Sequence, residues 1–131
     1  DLRMNAVRAL AQADIAVGIS MSPVLPGIND SEESLSLIAR EAAAMGAQHM
    51  HASVLFLKPC SREVLFPFIE KKFPHLMTRY RAAYTDHAYL RGEYPELIQS
   101  RIQRIRTHYG LIRREEYQPP YEEQQLPLFA A

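Results

Sequence analysis

The sequence predicts an α/β fold: helix, strand, helix and strand in succession, then an all-helical region, then an acidic tail. Three observations carry this. Apolar residues recur at three- and four-residue spacing over residues 2–13 and again after residue 30. Residues 15–25 alternate bulky and small side chains with no charge on either side. The last seventeen residues hold four acids, no Lys or Arg, and three prolines, a composition that does not favour a packed core.

The first helix, "LRMNAVRALAQA", sets Leu2, Ala6, Ala9, Leu10 and Ala13 on one face. In the strand "IAVGISMSPVL", Ile15, Val17, Ile19 and Met21 make the bulky face, and Ala16, Gly18, Ser20 and Ser22 the small one. A strand without charge on its second face is expected to be covered on both faces, as in parallel sheets. The loop "PGIN" follows, where Gly27 can adopt positive φ. Asp30 is the expected N-cap of the next helix, with Glu33 as capping-box partner and Ser31 as the alternative cap. That helix should bury Leu35, Ile38, Ala39, Ala42 and Ala43 and stop at Gly46. The second strand is "QHMHASVLFLK", closed by Pro59.

Strand, helix and strand in succession imply a parallel pair. Two strands do not make a stable parallel sheet alone. A slice of a larger barrel or sheet is expected, or pairing with another chain, with residues 1–60 as the barrel segment. Residues 61–112 should form helices only. Pro67 is expected to kink or break the first of them. The second is expected over "HLMTRYRAAYTDHAYL". The third, "YPELIQSRIQRIRTHYG", should bury Leu97, Ile98, Ile102, Ile105 and Tyr109 and stop at Gly110. Residues 113–131 form the acidic, Pro-rich tail, expected to be mobile.

The formal net charge of zero conceals a segregation. Residues 1–57 carry three arginines against six acids, net −3; residues 58–114 carry twelve Lys or Arg against five acids, net +7; the tail is −4. A basic middle fits either an anionic partner such as nucleic acid or ordinary solvated helix faces. Lys58, Arg62, Arg101 and Arg104 are the candidate contacts to such a partner. One cysteine, Cys60, excludes an internal disulfide and a multi-cysteine metal site within one chain. Its usage fits the cytoplasm. No apolar run is long enough to span a bilayer, and no charged-then-apolar leader is present. A first residue of Asp rather than Met suggests a processed or partial chain.

The loop after the first strand is the leading site candidate, because parallel α/β folds bind ligands beyond the carboxyl ends of strands; an ordinary tight turn is the plainer reading. His49 and His51 share one strand face but lie at its start, and no nearby acid completes a metal set. Cys60 has no histidine at a telling spacing, so an inert thiol is expected. Tyr80, Tyr84 and Tyr89 are spaced for core contact rather than base stacking. The tail pentapeptide "QLPLF" resembles the peptide by which bacterial replication and repair proteins bind the DNA sliding clamp. In that resemblance Gln125 supplies polar contacts and Leu126, Leu128 and Phe129 fill the groove; docking on its own fold is the alternative.

The segment "LRMNAVRALAQADIAVGISMSPVLPGIND" resembles a late αβ unit of radical S-adenosylmethionine enzymes, in particular the group related to spore photoproduct lyase. Ala6 and Leu10 match in the helix, Ile15 and Val17 in the strand, and Pro23, Pro26, Gly27, Asn29 and Asp30 in the loop. "VLFLKP", "VLFPFIEKKFP" and "RGEYPELIQSRI" extend the resemblance to about residue 105. It implies a partial (β/α)6 barrel. It further implies a [4Fe–4S] cluster on a three-cysteine loop and a radical, made from S-adenosylmethionine, that abstracts a substrate hydrogen. The strand before "PGIND" passes the adenosine of that cofactor, here Ser20, Met21, Ser22 and Pro23, mainly through backbone contacts. This chain lacks the three-cysteine loop, and Asp14 stands where the group has glycine. The resemblance therefore implies that an amino-terminal half of the barrel is missing, and that the chain alone is inactive and prone to self-association. The alternative is a non-catalytic module that binds DNA or the clamp.

Overall fold

The computed structural model describes residues 2–112. The "QLPLF" peptide and the rest of the expected tail lie outside the described residues. The elements are α1 (Leu2–Gln12), β1 (Gly18–Val24), α2 (Glu32–Ala44), β2 (His49–Val54), α3 (Pro59–Lys72), α4 (Met77–Tyr84) and α5 (Glu93–Tyr109). A short 3-10 turn, Pro74–Leu76, joins α3 to α4. No helix among the described residues is long and apolar enough to cross a membrane.

β1 and β2 pair in parallel, with Gly18 opposite His49, Ser20 opposite His51 and Met21 opposite Ala52. The register shifts between Met21 and Val24, and the Ser22–Pro23 peptide is cis. The strand is shorter than expected. Val17 still accepts from the Gln48 amide at 2.8 Å, but Ile15 is exposed. After α5 the chain returns to β2, where Ile112 forms a parallel bridge with His49.

Three helices end alike. Asp14, Gly46 and Gly110 each take positive φ, at 55°, 92° and 68°. The amide of the next residue then reaches back to the helix, as in Ile15 to Leu10, Ala47 to Ala42 and Leu111 to Arg106. This closure satisfies carbonyls that the helix end would orphan. At the start of α2 the cap is Ser31, whose hydroxyl accepts from the Ser34 amide at 3.1 Å. Asp30 does not cap: its carboxylate is taken by Tyr94, from the far end of the chain.

The main core lies on one face of the sheet. Leu35, Ala39 and Ala42 of α2 and Ile98, Ile102 and Ile105 of α5 pack there with Met50 and Ala52, and Ile19 and Met21 join them. Ile38 and Leu97 sit at the rim instead, and the whole Leu2, Ala6, Ala9, Leu10 and Ala13 face of the first helix is exposed. In α1 the buried face is Val7 with Met4, not the Leu2–Leu10 face, because α1 turns its opposite side to the sheet and α2.

A second core holds Leu55, Leu57, Ile69, Met77, Tyr80 and Tyr84. It sits past the carboxyl end of the sheet, since Leu55 and Leu57 continue directly from β2. α3 runs unbroken through Pro67. Pro67 and the residue one turn back, Glu63, are both exposed, so water can take the carbonyl that the proline leaves without a donor. α4 stops at Tyr84, short of the helix expected to residue 90. Residues 88–90 instead pair with the extension of β2: Leu57 donates to Ala88 at 2.8 Å, and Phe56 stacks on Tyr89 with ring centroids 4.4 Å apart.

Candidate functional site

The alternation of β1 sorts the expected cofactor contacts by face. Ser20 and Ser22 lie opposite the core, while the Met21 side chain turns toward it. On the same outer face β2 contributes His49, His51 and Ser53. The result is a polar surface on two parallel strands. Ser53 donates to the Ser22 hydroxyl at 2.9 Å, and Ser20 donates to the same oxygen at 3.3 Å. Ser20, Ser22 and His51 are exposed, so the expectation that both sheet faces are covered is not met by the described residues.

Both outer edges of the sheet border open grooves. One, of about 510 Å³, runs along β1 between α1 and α2, with Ser20, Ser22, Met4 and Ile38 in its wall. The other, of about 740 Å³, is lined by residues 18–20 of β1, residues 49–52 of β2 and Gln99, Ile102 and Arg106 of α5. The polar face is β-strand surface that a two-stranded sheet leaves open, and helix residues complete the walls of both grooves.

The loop that ends β1 is held rigidly. Asn29 accepts from the Leu25 amide at 2.6 Å and donates to the Pro23 carbonyl at 3.5 Å. Gly27 has φ 76°, and a side chain there would also approach Leu76 at 3.1 Å. Tyr80 donates to the Pro26 carbonyl at 3.0 Å, and Tyr94 donates to Asp30 Oδ2 at 2.6 Å. Arg101 donates to the Asp30 carbonyl. Tyr84 does the same service for the end of β2, donating to the Leu55 carbonyl at 3.1 Å. Pro23 is exposed at the strand's end.

The four expected anion contacts fall into two places. Arg101 and Arg104 converge on Glu32 at the start of α2, Arg104 at 3.0 Å and Arg101 at 4.0 Å. They brace α5 against α2. Arg62 donates to the Thr85 carbonyl, and Lys58 lies 5.7 Å from the Phe56 ring centre. Cys60 is exposed in the first turn of α3. No cluster of three or more His, Cys, Asp or Glu side chains suited to a metal occurs among the described residues. Sequence reading missed Ser53 and Tyr94; Tyr80 and Tyr84 lie in the core as their spacing suggests, whereas Tyr89, expected there too, is exposed and stacks on Phe56. Strand alternation places Ser53 on the face of His49 and His51, but only the parallel register brings it to Ser22.

Burial, then the Asp30 charge, push the Tyr80 phenol up to about 12, with Arg79 opposing. Burial also raises Tyr84, and burial with the Asp30 hydrogen bond raises Tyr94. A raised phenol keeps its proton in the folded chain where the unfolded chain has released its own. Stability is thus level below pH 10.0 and falls as pH rises through the Tyr80 value of about 12. Each such tyrosine removes up to about 1.4 kcal/mol per pH unit in that window. Urea unfolding in steps across the window should show this loss, and Tyr80→Phe should make it shallower while Tyr84 and Tyr94 keep their share. An equally steep loss in Tyr80→Phe would assign the effect to other groups.

No protein-family model matches the chain, and no solved structure matches it. It is 28% identical over 121 residues to the uncharacterized proteins Rv2578c of Mycobacterium tuberculosis and Mb2609c of Mycobacterium bovis. The match takes in 92% of this chain but 36% of each relative, so the chain spans little more than a third of their length.

Proposed function

We propose that the chain is the carboxyl-terminal part of a radical S-adenosylmethionine enzyme related to spore photoproduct lyase, acting in the cytoplasm on nucleic acid. The observation that carries this reading is the open polar face of β1. It is built from Gly18, Ser20 and Ser22 and runs straight into the rigid "PGIND" loop. Three further facts support it. Both edges of the sheet border grooves where further strands would lie. The relatives extend well beyond the matched region. Asp14, where the resemblance places glycine, adopts the left-handed conformation that glycine favours.

The residues fit the cofactors unequally. An adenosine fits along Ser20, Ser22 and Pro23, where small side chains leave the backbone accessible and two hydroxyls stand exposed. Met21 can contribute only backbone, since its side chain packs toward the core. An iron–sulfur cluster does not fit this chain, which has one cysteine; its ligands belong to the missing half of the barrel. S-adenosylmethionine, when bound, supplies a hydrogen-abstracting group. The role of this chain is to hold the adenosine in place: Asn29, Tyr80, Tyr94 and Arg101 fix the loop, and the loop fixes the strand end.

The gene decides the matter most directly. A C-x-x-x-C-x-x-C motif is expected upstream of Asp1, and the anaerobically reconstituted gene product should release 5′-deoxyadenosine from S-adenosylmethionine. Ser20→Leu should lower that release about 100-fold, by displacing the bound cofactor. A gene without the motif removes the proposal.

A further inference from the structure

His49, the first residue of β2, has a strand neighbour on each side. Gly18 of β1 pairs with it on one edge, and Ile112 forms a parallel bridge with it on the other. The Ile112 amide donates to the Gln48 carbonyl at 3.1 Å. The return of the chain to this point is firmly anchored. Gly110 turns it at φ 68°, Leu111 is fully buried, and the Arg106 side chain donates to the Leu111 carbonyl at 3.1 Å. Residues 50–54 of β2 continue past the bridge, with no strand on that edge among the described residues.

The path of α5 gives the bridge a direction. Tyr94 in its first turn meets Asp30 beyond the carboxyl end of β1, and Ile112 just after its last turn meets the start of β2. α5 therefore runs back along the sheet, on the same core face as α2. α2 is the crossover from β1 to β2, and a second crossover on that face delivers the chain to the next strand position with the same hand. The sequence after Ile112 suits such a position. Residues 113–118, "RREEYQ", contain no proline, and their charge suits a strand at an exposed edge. Pro119 and Pro120 then end any ladder, because proline has no amide to donate. The proline-free run is long enough to follow residues 50–54 to the end of β2. Among the described residues no acidic side chain lines the adjoining groove of about 740 Å³, so Glu115 and Glu116 meet no like charge there. A segment tethered at Ile112 also outcompetes a strand from another molecule, since a short tether gives an effective concentration on the order of millimolar.

We infer that residues 113–117 form a third parallel strand on the free edge of β2, continuing the Ile112 bridge in the same register. Arg114 then stands opposite His51, and Glu116 opposite Ser53. Alternate residues of a strand turn their amides to the same neighbour, so the Arg114 and Glu116 amides follow that of Ile112 as donors to β2. The added strand relieves the marginal stability of a two-stranded sheet. It also reserves the edge of β2 for this chain, and leaves only β1 to pair with a strand from elsewhere in the gene product. It needs no cofactor, and so does not depend on the radical reading.

The test is hydrogen exchange of the complete gene product, without iron or S-adenosylmethionine, read residue by residue by mass spectrometry. The Arg114 and Glu116 amides should exchange about tenfold or more slowly than those of an unfolded chain, independently of protein concentration. Glu116→Pro removes one of the two donors and should abolish the slowing at Arg114. Glu115→Pro removes an amide that faces away from β2 and should leave it in place. Register is read separately by a His51→Cys, Arg114→Cys double variant. Paired residues of neighbouring strands lie within disulfide reach, so mild oxidation should join these two within one chain, as located by peptide mapping. That variant covers the case of a proline variant that fails to fold. Fast exchange at 113–117, equal loss in both proline variants, slowing that depends on concentration, or a disulfide formed only between chains overturns the inference. Fast exchange at 113–117 beside slow exchange at 50–54 also overturns it, and gives the edge to another segment of the gene product.

Discussion

Tyr84→Ala should destabilise the chain by about 3–5 kcal/mol, the usual range for removing a large aromatic ring from a packed site. Tyr84 is 1% exposed and sits in the core that caps the sheet, with its ring 5.9 Å from that of Tyr80. Tyr84→Phe keeps the ring and loses only the donor to Leu55, so it should cost about 1–3 kcal/mol. Urea unfolding of both variants separates packing from hydrogen bonding. Equal losses in the two would mean that the hydroxyl, not the ring, carries the position. The capping core also positions the loop, because Tyr80 in the same helix holds Pro26. Tyr84→Ala should therefore loosen the Pro26 turn as well as the fold.

Gly18→Ala should cost about 1–3 kcal/mol through overpacking. The added Cβ would lie 2.1 Å from both Cδ2 and Nε2 of His49, far inside any tolerated contact. The φ of Gly18 is not in the left-handed region, so the cost is steric. It follows that His49→Ala should rescue it: in that background Gly18→Ala should be close to neutral. A double-mutant cycle by denaturant unfolding measures the coupling. A Gly18→Ala penalty that persists undiminished without the imidazole would refute the steric account. The pair also marks the start of the polar face, so the variant should leave the carboxyl-end loop and its tyrosine contacts intact.

Local signals were the legible ones. Alternation in β1 separated Ser20 and Ser22 from Ile19 and Met21, and the structure keeps that division. Gly46 and Gly110 ended their helices where expected, because positive φ is a property of one residue and its immediate neighbours. Where the reading went astray, a distant partner had intervened. Asp30 is a sound cap by sequence, but the Tyr94 hydroxyl competes for its carboxylate and Ser31 caps instead. Arg101 and Arg104 read as candidate contacts to an anion; that Glu32 and the Asp30 carbonyl also draw them across to α2 was not visible in the sequence. Leu2 and Leu10 read as a buried stripe, yet they face outward, because α1 has too few neighbours among the described residues to bury both sides.

By itself, the sequence determined the main periodicities: the first two helices, the two strands, the last helix, and which face of the first strand is small and polar. Those depend on backbone sterics and on residues a few positions apart. Only the tertiary structure decided which polar groups are spent inside the fold and which stay available. Tyr80, Tyr84, Tyr94, Arg101 and Arg104 are held by partners 29 to 72 residues away. Ser20, Ser22 and Arg91 remain exposed. A hydrogen bond needs its two atoms within about 3 Å, and separation along the chain carries no trace of that distance.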